Sequence, residues 1–410
     1  MTASIDDLDV SVKVPPPEPG SPAYSELVAA IAQDAAQRRS AGGHDGPTAS
    51  IDLVRRHRLG AVRVPRGEGG GGYTLQELFD LVIDLAEADP DVPHILRVHF
   101  SFVEELLRVP RSERKDAWLP DVVSGKLFGG ATSELSSKQV GNYEFDTTLI
   151  AAPGGYILDG VKYYSTGSLY SDFIRVSAGL PDGGNLTAIV PVDRAGVTHR
   201  DDWDGIGQRH TGSGTTIFDN VAVDEAETLP FRGDGEAHRP RQALPQLFLH
   251  AIAVGILRTV ATDAAELVRS RNRSYVFAAA TEPRRDPQLL QIIGELSAAA
   301  FAAEAVVRTA GAAQEVAAEA ARTTGVDPRL EHAAAVQAAK AKVSIEEFAL
   351  RASTRLFDVG GASATKESAH LDRHWRNLRT LFSHNPTVYK ARVLGDVLVN
   401  GAPLPDTGFF

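Results

Sequence analysis

The sequence predicts an α+β chain in three successive parts: a helical domain, a small β-barrel or sandwich, and a long helix bundle. Apolar residues recur with helical period up to Lys126. Between Leu127 and Pro230 they give way to short β-branched and aromatic runs broken by Gly, Asp and Asn, and from Leu244 onward Ala-rich stretches restore the helical period. The expected divisions are an N-terminal arm over 1–22, a helical domain over 23–126, a β domain over 127–230, a linker over 231–242 and a bundle with its tail over 243–410.

The arm, containing VPPPEPGSP, is proline-rich and acidic, which predicts mobility. Leu27, Val28, Ile31 and Ala35 share one helical face, so the first helix covers 24–39 and AGGHDGP stops it. Further helices are predicted over 50–58, 74–87 and 93–109, the second of them capped at its start. Residues 64–72 form a turn; its glycine run resembles a phosphate cradle but lacks the following Lys-Ser/Thr. In the β domain FDTTLIAA, GYILDGVKYYSTG, DFIRVSAGL, LTAIVPV and TTIFDNVAV read as strands, with Asp159-Gly160 as a hairpin turn.

Bundle helices are expected over 244–276, 287–309, 312–322 and 330–357. Their apolar faces are wider than one bundle hides, which predicts packing against another subunit. The Gly360-Gly361 pair ends the last of these, and missing side chains there let a flat cofactor approach the backbone. A closing helix starts at Ser363 or Thr365 and ends at Ser383-His384-Asn385-Pro386, since the residue before proline is pushed out of the helical region. Its length puts about five turns between the glycine pair and the His384 imidazole. His370 and His374 have the i, i+4 spacing of helical zinc sites, but no acidic partner follows, so a packed pair is expected.

Composition narrows the function. A net charge of −11 argues against nucleic acid and anionic membranes as partners. The absence of cysteine excludes disulfides, thiolate nucleophiles, iron–sulfur clusters and Cys-ligated zinc. Neither a leader pattern nor an uninterrupted apolar span of membrane length is read, so a cytoplasmic protein is expected.

Three motifs occur in order: DGVKYYSTGSLYSDFIRV, DDWDGIGQRHTGSGTTIFDNVAV, and the closing DVGGASATKESAHLDRHWRNLRTLFSHNPTVYKARVLGD. With the domain order, they resemble the acyl-CoA dehydrogenase-fold family, specifically its flavin-dependent monooxygenase branch of dibenzothiophene monooxygenases and sulfur-acquisition oxidoreductases. The resemblance covers about 24–401. It implies a homotetramer, a separate NAD(P)H:flavin reductase supplying reduced FMN (or FAD), and oxygenation of a small organosulfur or nitrogen compound.

Dehydrogenases of the family place a catalytic glutamate after an Arg-Asp in the last long helix. Here Arg376-Asn377 lead to Phe382-Ser383-His384-Asn385-Pro386 without an acid, and 242–250 contains no carboxylate either. A monooxygenase instead adds dioxygen at flavin C4a and must hydrogen-bond the peroxide, protonate it and keep water away, tasks that suit an imidazole near neutral pH. His384 is the first candidate acid–base and His99 the second.

By resemblance Ser165 and Thr166 bind the flavin edge, with Ser165 close to the chemistry, and Tyr164 covers a ring face. Thr132, Ser133 and Ser137 contact the pyrimidine side, Arg271 or Arg273 meets the flavin phosphate, and Gly360 and Gly361 approach the cofactor of a neighbouring subunit. A dehydrogenase with its base elsewhere and a catalytically silent assembly protein are the alternatives.

Overall fold

The computed structural model describes residues 14–108, 112–135, 141, 143–231 and 243–405. Six helices come first: α1 (Pro22–Ser40), α2 (Thr48–Arg56), α3 (Leu75–Ala88), α4 (Asp91–Arg108), α5 (Glu113–Asp116) and α6 (Leu119–Val123). Local chemistry sets their starts. Ser21 accepts from Tyr24 N at 3.2 Å to cap α1, and Thr74 with Glu77 forms a capping box on α3. Helix α4 is buried along nearly all its length, since Val92, Ile95, Leu96 and Phe100 enter the helical core while Phe102, Val103 and Leu106 pack towards the sheet.

Eight strands follow: β1 (Phe128–Ala131), β2 (Thr148–Ala152), β3 (Gly155–Lys162), β4 (Phe173–Gly179), β5 (Asn185–Pro191), β6 (Val197–Arg200), β7 (Thr215–Asp224) and β8 (Thr228–Pro230). They form one mixed sheet in the order β6-β7-β3-β2-β4-β5-β8, with β1 running parallel to β4. Alternation decides their faces: Leu149, Leu158, Ile174, Val176, Ala188, Val190 and Val221 point into one apolar core.

The bundle consists of α7 (Ala243–Arg269), α8 (Pro287–Thr323), α9 (Pro328–Gly360), α10 (Asp372–Ser383) and α11 (Thr387–Asn400). Helix α7 is its axis. Leu247, Phe248, Ile252, Val254 and Leu257 are all buried, each side chain contributing about 1.5–3 kcal/mol of transfer free energy.

Several expectations are corrected. The second half of the arm is docked: Val14 N donates to Arg56 O, Tyr73 Oη donates to Pro17 O at 2.5 Å, and Arg66 pairs with Glu18. The glycine run 69–72 folds back on 61–64, where Gly71 N and Gly72 N donate to Ala61 O and Val64 O, so those amides are spent within the protein. Asp159-Gly160 lies inside β3 at a register shift, and the turn joining β2 to β3 is Pro153-Gly154.

The two helices expected at 287–309 and 312–322 are one, because Gly311 makes room for the Phe79 ring. No helix starts at Ser363. Residues Gly361–Thr365 and Glu367–Ala369 are 3₁₀ turns, His370 is left-handed (φ 50°), and α10 begins only at Asp372. By length and composition alone α7 and α8 are long and apolar enough to cross a membrane; the most apolar stretch of α7 is 83% buried inside the bundle and that of α8 22%.

Candidate active site

The site begins where β3 ends. Lys162 is wholly buried, pairs with Glu134 at 2.6 Å, lies 4.2 Å from the Phe145 ring centroid and donates to Thr132 O at 3.2 Å. This pins residues 132–134, and Ser133 O accepts from Tyr163 N at 2.9 Å. The chain then turns through Tyr164, whose φ of 56° is left-handed and costly for a non-glycine residue. Its exposed ring meets Trp203 edge-on at 5.8 Å. Ser165 N donates to Gly214 O at 3.1 Å, while its buried Oγ has no partner among the described residues.

A hydrogen-bond chain runs from this edge into the helices. Thr166 Oγ1 bonds Ser213 Oγ (2.9 Å), which bonds Thr211 Oγ1 (2.7 Å), which donates to Gln208 O (3.0 Å). Gln208 Oε1 accepts from His94 Nδ1 at 2.8 Å, and Gln208 N donates to Asn377 Oδ1 on α10 at 2.8 Å. Two glycines permit the contact. A Cβ on Gly207 would sit 2.2 Å from Arg376 O, and one on Gly167 (φ 81°) 2.6 Å from Ile95 O.

His94 and Arg97 lie three residues apart on α4, hence on one face. Arg97 Nη2 reaches His384 Nε2 at 3.3 Å. A guanidinium only donates, so Nε2 accepts and neutral His384 carries its proton on Nδ1. Two helices hold the turn that presents His384. From α9, buried Lys342 donates to Phe382 O at 2.9 Å, and Glu346 accepts from Arg379 at 3.1 Å and from the Thr387 hydroxyl. From α7, Gln246 Oε1 accepts from Asn385 Nδ2 at 2.7 Å.

The electrostatics keep both imidazoles uncharged. Burial, then Arg97, pushes His94 down to about 3. His384 retains accessible surface, yet loss of hydration around its ring and the neighbouring Arg97, His94, Lys342 and Lys390 hold it well below its ordinary value. Burial lowers Arg97 to about 10, so it stays cationic, and lowers Lys342 to about 8. After burial, the described groups that act most on His384 are Arg97, His94, Lys342 and Lys390.

The expected residues divide. Ser165, Thr166 and Tyr164 belong to the edge, and the exposed Thr132 and Ser133 flank it. Ser137 lies outside the described residues. His99 stands apart: its Nε2 donates to Gly60 O at 2.9 Å, its Nδ1 accepts from Phe128 N at 3.3 Å, and Phe100 and Phe128 pack on its ring. With both nitrogens used, this buried imidazole has none for acid–base chemistry.

Arg271 lies beside the glycine pair, donating to Val359 O at 3.1 Å, and a Cβ on Gly361 would sit 3.8 Å from its Nη2. The side chain of Arg273 is exposed, and its carbonyl accepts from Arg271 Nε at 3.0 Å. Gly360 and Gly361 therefore gather with Arg271 at a second corner. His374 is taken by Asp263 at 2.8 Å, which Arg373 also holds. Sequence reasoning missed His94, Arg97 and Gln208. The i, i+3 pair on α4 and the position of Gln208 in the second motif were the available signals.

A protein with this constellation has known relatives. Dibenzothiophene monooxygenase of Rhodococcus erythropolis is 30% identical over 391 residues, spanning 90% of this chain and 91% of that protein. The chain belongs to the dibenzothiophene monooxygenase family. Residues 247–388 also match the family model for the acyl-CoA dehydrogenase C-terminal domain, in keeping with the acyl-CoA dehydrogenase-like fold. Among solved structures, TdsC of Paenibacillus sp. A11-2 in complex with FMN and indole superposes with a TM-score of 0.86 at 27% identity, covering 95% of this chain and 100% of that one. Methanesulfinate monooxygenase MsuC of Pseudomonas fluorescens gives 0.84 at 29% identity over 95% of this chain and 100% of that one.

Proposed function

We propose that this family member is a monooxygenase that uses reduced FMN and dioxygen to oxygenate a small organosulfur compound. The observation that carries this is a pair of neutral imidazoles: His94, bonded to Gln208 at the end of a chain of hydroxyls that starts at Thr166, and His384, bonded to Arg97 on the same helix as His94. The residues fit a flavin. Among the described residues Ser165 Oγ, Gln208 Nε2 and Arg97 Nε are buried without partners, which is costly unless a polar ligand completes them. The exposed, strained Tyr164 and neighbouring Trp203 offer flat apolar surface beside them. Reduced FMN, when bound, supplies the two electrons that activate dioxygen.

The chain's own groups do the rest. Ser165 and Thr166 hold the flavin edge, with Thr132 and Ser133 beside it. His384, its proton on Nδ1 and its Nε2 held by Arg97, positions and protonates the oxygen not transferred to substrate. His94 keeps its proton on Nδ1 against Gln208, leaving Nε2 as an acceptor. The walls of α4, α7 and α10 exclude water that would release hydrogen peroxide. A carboxylate base, which dehydrogenation of a carbon centre would need, does not figure in this set.

Arg271 would meet the flavin phosphate in preference to Arg273, since its guanidinium is already fixed beside Gly360-Gly361. The assembly is a homotetramer in which the glycine pair faces a neighbour's cofactor. Exposed Phe301 and Val316 on α8 and Val388, Tyr389, Leu398 and Val399 on α11 supply apolar contact surface. A separate NAD(P)H:flavin reductase would deliver the reduced FMN, in the cytoplasm.

The test mixes purified protein and photoreduced FMN with aerated organosulfur compounds and quantifies oxygenated product against hydrogen peroxide. Product formation at the expense of peroxide is expected. Stoichiometric peroxide with every compound, or oxidised flavin bleached by an acyl-CoA, would overturn the reading.

A further inference from the structure

A cavity of about 360 Å³ opens where the three parts of the chain meet. The helical domain brings the last turn of α1 and the α3–α4 turn, the β domain brings the 206–210 loop, and the bundle brings α10 with the 3₁₀ turn before it. The Gln208–Asn377 bond stands between it and the reacting site: Asn377, Ile206 and Arg209 line the cavity, whereas the Gln208 side chain turns to His94. Gly42 and Gly43, with φ of 109° and 68°, bend the AGGHDGP stop along its wall, where Gly43 O accepts from His210 Nε2 at 3.1 Å.

The acids of this wall are largely spent. Asp89 pairs with Arg38 and accepts from Asp91 N at 3.0 Å, Asp372 pairs with Arg376 at 2.5 Å and Glu87 with Arg258 at 3.2 Å, which leaves the exposed Glu367. Some of its bases are not spent. Among the described residues the guanidinium groups of Arg39, half-buried, and Arg209 form neither a hydrogen bond nor an ion pair. Burial and then the like charge of Arg373 lower the Arg39 guanidinium; Asp89 and Asp263 act the other way, but each already holds an arginine. His370, left-handed at φ 50°, lines the same space with a ring that has no partner among the described residues. Asp91 Oδ1 is buried there, also without a partner among them. Burial and then Asp89 push this carboxyl well above the usual carboxylate range, towards the form that donates a hydrogen bond.

We infer that this cavity is a second ligand site, which takes the tetrahedral oxyanion of a small phosphorylated or sulfated molecule between Arg39 and Arg209, with Asp91 Oδ1 and the His370 ring beside them. It stands independently of the monooxygenase reading. Each guanidinium fork meets two oxygens side by side, so a tetrahedral group serves two separate forks where a planar carboxylate serves one, and a neutral carboxyl adds a donor without adding charge. Unsatisfied polar groups around a hollow of this size are costly unless a ligand completes them, and the volume suits a small organic molecule rather than a bare ion.

The experiment needs no turnover. Inorganic phosphate and inorganic sulfate are titrated calorimetrically into the full chain with saturating FMN present, so that the flavin's own phosphate site is filled, with sodium chloride of equal ionic strength as the control. Wild type should bind one equivalent of oxyanion per chain, and R39Q and R209Q should each lose about tenfold or more in affinity. D91N should keep it, since an amide still donates to an anion. Phosphate should also raise the melting temperature of wild type and not that of R39Q, which is expected to fold because Arg39 holds no other described side chain. Chloride matching both oxyanions, unchanged affinity in both arginine variants, or loss of phosphate binding in D91N overturns the assignment. Weaker FMN binding in R39Q and R209Q gives the cavity to the flavin phosphate and overturns it as well. If wild type bound no FMN at all, the monooxygenase reading would fall, and the same titrations on the flavin-free chain would decide the oxyanion site.

Discussion

Two imidazoles near α4 show how the same side chain is built for opposite ends. His99 sits between Phe100 and Phe128 with a carbonyl on one nitrogen and an amide on the other, an arrangement that ties the helical domain to the start of β1. His384 keeps accessible surface on a turn clamped by Lys342, Glu346 and Gln246, with its Nε2 bonded to the Arg97 guanidinium. Around the first, polar capacity is used up in the fold. Around the second, Ser165 Oγ, Gln208 Nε2 and Arg97 Nε are left over. Unfinished hydrogen bonding is tolerated where a ligand is to finish it, and the contrast separates stability from chemistry.

The largest effect should come from His384. His384→Ala is expected to fold and bind FMN as before but to lose coupled oxygenation by about a hundredfold to ten-thousandfold, with hydrogen peroxide taking its place. Product and peroxide assays on the variant check this; unchanged coupling removes His384 from the mechanism. His99→Ala should do the reverse, costing about 2–4 kcal/mol of stability through a cavity and two lost hydrogen bonds while folded enzyme keeps its coupling. Chemical denaturation measures the first part, and a coupling defect in the folded fraction would erase the distinction between the two rings.

Acid should expose the buried ring next. His99 is pushed by burial to about 4 from an ordinary 6.5, so between those values the unfolded chain binds more protons than the folded one. Stability therefore falls as pH falls through that window, by up to about 1.4 kcal/mol per unit for this group. His94, lowered to about 3, adds a slope of the same sign. Denaturation midpoints in wild type and His99→Gln at pH 7 and pH 5 read the difference; identical slopes would contradict it. The smallest effect is at the second corner. Arg271→Ala should weaken FMN binding about tenfold and Arg273→Ala about twofold or less, as fluorescence titration would show.

Much of this was legible in the chain. Helical period and capping chemistry located α1, α3 and α4, and the Gly360-Gly361 stop ended α9 where expected. The proline after His384-Asn385 marked the turn that carries the imidazole. What escaped depends on distant contacts. Nothing local to Asp159-Gly160 distinguishes a hairpin turn from a bulge; pairing with β7 decides it. Gly311 reads as a helix break until Phe79 is known to fill the space. His99 and His94 share one helix, and only Gly60 and Phe128 on one side and Gln208 on the other assign one to the core and the other to the site. Gln208 itself, left-handed at φ 51°, gains meaning from Asn377, 169 residues away.

The most direct test is a crystal structure with FMN bound. The ring should lie along Ser165 and Thr166, with Gln208 or Arg97 gaining a partner and His384 facing its reactive edge. A flavin seated with a glutamate or aspartate over that edge, and His384 turned to solvent, would contradict the account.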